Sequence, residues 1–124
     1  MIYKLLAIAL GGATGAVLRY LIYHYFDRFH QSDFPWATFI VNLSGSFLIG
    51  FLWGFFDRYY ISPGVRMFIF IGILGSFTTF STFAFDILSL TKDGEYRLMI
   101  AYLLSSNFLG IGMAFAGFYS CKCV

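Results

Sequence analysis

The stretch GSFTTFSTFAFD, Gly75 to Asp86, sets four hydroxyl side chains, Thr78, Thr79, Ser81 and Thr82, among the aromatic rings of Phe77, Phe80 and Phe83, inside a long apolar run. Serine and threonine hydroxyls bond back to carbonyls one turn earlier and bend a helix, and Gly75 weakens it further. The pattern therefore predicts a helix broken near the middle of a membrane span. Non-helical backbone at that depth must be buried in protein or line a cavity. Carbonyls freed by a break suit a hard cation, while freed N–H groups and hydroxyls suit an anion. Phe80 and Phe83, three residues apart, share a helical face. Their positive ring edges offer an anion a weak field without a full charge that would trap it; plain packing is the competing reading of both rings.

The rest of the chain agrees with a membrane setting. Of 124 residues, 60% are hydrophobic and 11% charged, outside the range of soluble domains of this size. Four apolar segments each cover the roughly 20 residues that a bilayer demands: about Tyr3 to Phe26, Trp36 to Phe56, Val65 to Leu90 and Leu98 to Tyr119. All four read as helices, so residues 1–124 form a single four-helix transmembrane domain of the all-α class. The start, MIYKLLAIALGGATGA, mimics a signal peptide, but its apolar character continues to Ile22 and it reads as a retained first span. Ser32 and Asp33 precede Pro35, and Ser62 precedes Pro63, placing each proline in a first helical turn.

A net charge of +2 with no basic stripe excludes nucleic acid as a partner. The connections and termini carry Lys4, Arg58, Arg66 and Lys122 on one side against Arg28, Lys92 and Arg97 on the other, four against three. So small a bias predicts that copies insert both ways. The chain is too short for an internal inverted repeat, and an antiparallel homodimer supplies the same symmetry. The spaced pairs Gly11/Gly15, Gly50/Gly54 and Gly110/Ala114 suit close helix packing, within the chain or between copies. Cys121 and Cys123, in the tail SCKCV, read as free thiols at a frayed end.

Polar groups inside the spans are few. Arg19 either snorkels to the interface or stands at a pore vestibule. The amide of Asn42, with two donors that lipid cannot satisfy, serves an interhelical hydrogen bond or a ligand. Tyr102 and Ser106 share a face of the fourth span, with Ser105 and Asn107 beside them, forming a polar track or helix glue. His24 and His30 are interfacial, and no nucleophile is paired with a base, so no enzyme chemistry is visible.

Together GGATGAVLRY in the first span, TFIVNLSGSFLIG in the second and above all GILGSFTTFSTFAFD in the third make the whole chain resemble the Fluc, or CrcB-type, fluoride channels of microbial cell membranes. The resemblance implies an antiparallel dual-topology homodimer in the inner or plasma membrane, with two fluoride pathways. It also implies a central structural sodium ion on the backbone carbonyls of Gly75 and Thr78 from both subunits. By motif position, Phe80 and Phe83 are the pore phenylalanines, Asn42 the pore asparagine, Ser81 and Thr82 the hydroxyls beside them, and Arg19 the first-helix arginine. Tyr102 and Ser106 match the first half of the family's polar track, but Gly110 and Ala114 follow where hydroxyls would continue it. Asp86 stands where many relatives carry glutamate and receives no role. The implied function is passive export of cytoplasmic fluoride. Two other classes remain open: a small four-helix multidrug exporter, which calls for a membrane glutamate that the first span lacks, and a membrane assembly subunit that passes no ions.

Overall fold

A computed structural model describes residues 1–30 and 32–123. Four helices are long and apolar enough to cross a membrane: Ile2–Phe29, Trp36–Arg58, Pro63–Lys92 and Tyr96–Lys122. The first, second and fourth are the unbroken helices α1 (Ile2–Phe29), α2 (Trp36–Arg58) and α6 (Tyr96–Lys122). The third is assembled from α3 (Pro63–Arg66), a π-helical stretch (Met67–Leu74), α4 (Gly75–Phe77) and, beyond a break, α5 (Phe80–Lys92). Each helix overruns its apolar segment by a few residues. The hydrogen-bond ladder continues into the headgroup zone, where Arg28, Arg58, Lys92 and Lys122 occupy last turns and face the negative end of the helix dipole.

The starts are set by local chemistry. Ser62 accepts the N–H of Val65, with Pro63 in the first turn as expected. Pro35 instead sits one place outside α2, as its N-cap, because Ser32 spends its hydroxyl on Phe34 N–H and turns the chain before the helix begins. Two ends are tied by arginines: Arg66 donates to Phe56 O at 2.9 Å and Arg58 to Lys122 O at 3.0 Å, satisfying carbonyls that the helices leave open. The C-terminal end is not frayed. α6 runs to Lys122, and Cys121 is buried against Gly54, where an added Cβ would stand 3.3 Å from Cys121 Cβ. Both cysteines are free.

The helices pack as two pairs. α1 lies along the first half of the third span, where Gly11 and Gly72 meet backbone to backbone; a Cβ on Gly72 would stand 2.8 Å from Gly11 Cα. α2 lies along α6, with Gly50 against Ala114 O and Gly117 against Phe47 O. Small residues thus do what the sequence spacing implied, within the chain. The π-helical stretch carries no sequence signal of its own: Gly75 N–H reaches back five residues to Phe70 O. The core is thin. Phe39, Phe83, Leu90 and Tyr102 form its main cluster, and long rows of Leu, Ile and Phe remain on the outer faces of all four spans.

Candidate functional site

The break in the third span occupies two residues. Thr78 (φ −78°, ψ 156°) and Thr79 (φ −151°, ψ 121°) are extended, at the midpoint of Pro63–Lys92. Gly75, which the sequence suggested as the weak point, is itself helical (φ −63°, ψ −33°); the interruption falls one turn later. The hydroxyls behave as the pattern implied. Thr78 bonds back to Leu74 O at 2.9 Å and Ser76 to Gly72 O at 2.7 Å. Thr79 restarts the helix as N-cap, its Oγ1 accepting Thr82 N–H at 3.2 Å and donating to Thr82 Oγ1 at 3.1 Å.

Asn42 fixes the break from α2. Its Oδ1 accepts Thr79 N–H at 2.9 Å and its Nδ2 donates to Thr79 O at 3.0 Å. Both polar groups of a buried peptide residue are thereby satisfied, and one Asn42 N–H is left over. In an unbroken helix Thr79 N–H would close on Gly75 O, and Thr82 N–H on Thr78 O; here they go to Asn42 and to Thr79 Oγ1.

Beside the break opens a cavity of about 320 Å³ lined by Asn42, Gly45, Ser46, Gly75, Thr78, Thr79 and Phe80, among others. Phe80 projects into it, 78% exposed, whereas Phe83 is buried between Phe80 (centroids 5.8 Å) and Tyr102 (5.0 Å). The two rings are brought together but in unlike surroundings. Ser81 is exposed at the start of α5, its hydroxyl 3.4 Å from Thr79 Oγ1. Thr82 points toward a second cavity, of about 260 Å³, shared with Tyr23, Asp27, Thr38 and Asp86.

On α6, Tyr102 is fully buried and donates to Asp86 Oδ2 at 3.0 Å. One turn on, Ser106 Oγ is shielded and has no hydrogen-bond partner among the described residues. Ser105 and Asn107 bond back to Ala101 O and Leu103 O and stand apart from the cavity. Arg19 is half-buried on α1 and does not line the cavity.

Sequence reasoning missed three groups here. Asp86 has a definite partner in Tyr102; Thr38 and Tyr23 share a hydrogen bond at 2.9 Å beside it; and Ser46 stands one turn beyond Asn42 in the cavity wall. Thr38, Asn42 and Ser46 recur every four residues on one face of α2, a spacing that would have disclosed them. The groups at the break are neutral throughout: the Asn42 amide, hydroxyls and the Phe80 ring, with Gly75 and Thr78, whose carbonyls are released from their helical donors, in the same cavity wall.

Comparison with known proteins shows the family. The family described as CrcB-like protein, Camphor Resistance (CrcB), matches residues 6–118. A protein named fluoride-specific ion channel FluC from Desulfotalea psychrophila is 43% identical over 115 residues, covering 93% of this chain and 89% of its own. One of the same name from Leptospira interrogans is 41% identical over 120 residues, 96% of this chain and 94% of its own. Another, from Phocaeicola vulgatus, is 45% identical over 108 residues, 87% of this chain and 89% of its own. Since the family match extends from α1 into α6 and takes in the clasped break of the third span, this chain belongs to the CrcB-like family.

Proposed function

We propose that this protein is a fluoride-selective passive channel of the cell membrane, which lets cytoplasmic fluoride leave after HF has entered and dissociated, and so relieves fluoride toxicity. The observation that carries the reading is the cluster of uncharged polar groups that the Asn42–Thr79 clasp gathers at the break. A strongly hydrated anion entering a pore must exchange its water for donors, held well enough to admit it and weakly enough to release it. The remaining Asn42 N–H, the hydroxyls of Ser81 and Thr82, and the ring edges of Phe80 and Phe83 are donors of that kind, and none carries a full charge. A lysine in their place would hold the ion. The names of the relatives agree with this choice of anion.

Assembly belongs to the same proposal. Two copies in antiparallel orientation enclose two fluoride pathways, with Tyr102 and Ser106 continuing each along α6 and Arg19 near its mouth. The donor set beside the cavity fits a sodium ion. Gly75 and Thr78 line it, the helical donors of both carbonyls are engaged elsewhere, and hard cations prefer oxygen ligands. The Gly75 and Thr78 carbonyls of both subunits would hold the ion, which when bound fastens the two broken spans together and raises the local potential for anions. The near-even Lys/Arg count and the wide apolar outer faces support a partner of opposite orientation.

Ion efflux from liposomes containing only this protein tests the reading. Fluoride is expected to leave rapidly and chloride to be retained; equal rates for the two, or no efflux, would overturn it.

A further inference from the structure

The face of α6 that carries Tyr102 and Ser106 loses its hydroxyls one turn later, at Gly110, and again at Ala114. A path confined to this helix would leave a desolvated ion without donors there. The group that faces the gap belongs to α2. The nearest atom to the place that a Cβ on Gly110 would occupy is Ser46 Oγ, 3.9 Å away. Ser46 follows Asn42 by one turn and lines the cavity with it. Asn42 is engaged with Thr79, and Ser44 spends its hydroxyl on Val41 O at 3.1 Å; Ser46 has no hydrogen-bond partner among the described residues. On the facing helix Ser106 Oγ, one turn before Gly110, is likewise unpartnered. Two unpartnered hydroxyls thus flank the point where α6 becomes apolar, Ser106 shielded within the chain and Ser46 in the cavity wall.

We propose that Ser46 supplies the donor that α6 lacks at Gly110, so that the fluoride path crosses from Ser106 on α6 to Ser46 on α2. The inference rests on the channel reading above. It explains how a chain with glycine and alanine in the outer half of the track still offers hydrogen bonds along it. The missing side chain at Gly110 leaves the lane open, and the serine opposite lines it.

The test is fluoride efflux from liposomes carrying the full-length protein. Ser46→Ala is expected to slow efflux about tenfold or more, the cost of one lost hydrogen bond to a charged ligand. Gly110→Ser added to Ser46→Ala returns a hydroxyl to the same gap and is expected to recover most of the rate, a rescue that a packing role for Ser46 would not produce. Ser44→Ala serves as the control and leaves the rate unchanged. Should Ser46→Ala not yield monodisperse protein, Ser46→Cys keeps the shape with a weak donor and is expected to show the same loss. Parent-rate efflux from whichever Ser46 variant folds, or failure of Gly110→Ser to rescue, overturns the inference and leaves the channel reading standing. An unmodified protein that passes no fluoride overturns both.

Discussion

Asn42 holds Thr79 by both polar groups of its backbone, accepting the N–H at 2.9 Å and donating to the carbonyl at 3.0 Å, across a separation of 37 residues in sequence. This pair of bonds joins α2 to the middle of the third span and makes a two-residue break tolerable at membrane depth. Each buried backbone group left without a partner costs ~1–3 kcal/mol. Asn42→Ala is therefore expected to destabilise the protein by about 2 kcal/mol or more and to lower fluoride efflux. Asn42→Asp fares no better, because a carboxylate accepts the Thr79 N–H but repels its carbonyl. Thermal unfolding followed by size-exclusion chromatography checks the first effect, and liposome efflux the second.

The two phenylalanines separate by burial. Phe80→Ile and Phe83→Ile both remove the aromatic quadrupole and are expected to reduce fluoride efflux sharply while leaving the protein folded. Only Phe83, 8% exposed and packed on Tyr102, is expected to lower the melting temperature as well; Phe80, 78% exposed, is not. If both variants conduct at the parent rate, the rings are packing alone.

Sodium is expected to stabilise the protein without travelling with fluoride. Replacing it by a large organic cation should lower the melting temperature of the assembled protein. Simultaneous measurement of both ions during efflux should find fluoride moving and sodium still. A fixed ratio between the two fluxes would make the protein a symporter.

Orientation is open to direct measurement. A tag after the C-terminus is expected to be reached from both sides of the membrane in a population of cells. A few lysines added to one set of connections should force a single orientation and abolish efflux, and an oppositely biased copy should restore it. A single orientation in the unmodified protein would remove the antiparallel dimer.

The glycines of the α2–α6 contact are not equivalent to those facing outward. A Cβ on Gly50 would strike Ala114 O and one on Gly117 would strike Phe47 O, whereas nothing lies within 4 Å of a Cβ on Gly112. Gly50→Ala and Gly117→Ala are expected to lose folded protein, since backbone atoms cannot move aside. Gly112→Ala is expected to stabilise α6 by ~1 kcal/mol through helix propensity. Melting curves of the three variants decide it.

The four spans, their connections and the existence of a break in the third were written in the sequence, because each depends on short-range matters: runs of apolar residues matched to bilayer thickness, and hydroxyls placed to compete for carbonyls one turn away. The pairing of Phe80 with Phe83 and of Tyr102 with Ser106 followed from helical periodicity in the same way. What periodicity could not supply was anything fixed by a partner distant along the chain. The break falls at Thr78–Thr79 rather than at Gly75 because Asn42 is there to receive the Thr79 backbone. Asp86 finds a partner in Tyr102 only because α5 and α6 pack at that level, and Cys121 is buried where α6 passes close to Gly54. Likewise, Ser46 faces Gly110 through the close approach of α2 and α6, a contact made by glycines whose effect is to bring two backbones together. The sequence determined which groups lie at membrane depth; the packing of helices decided which of them find a partner and which do not.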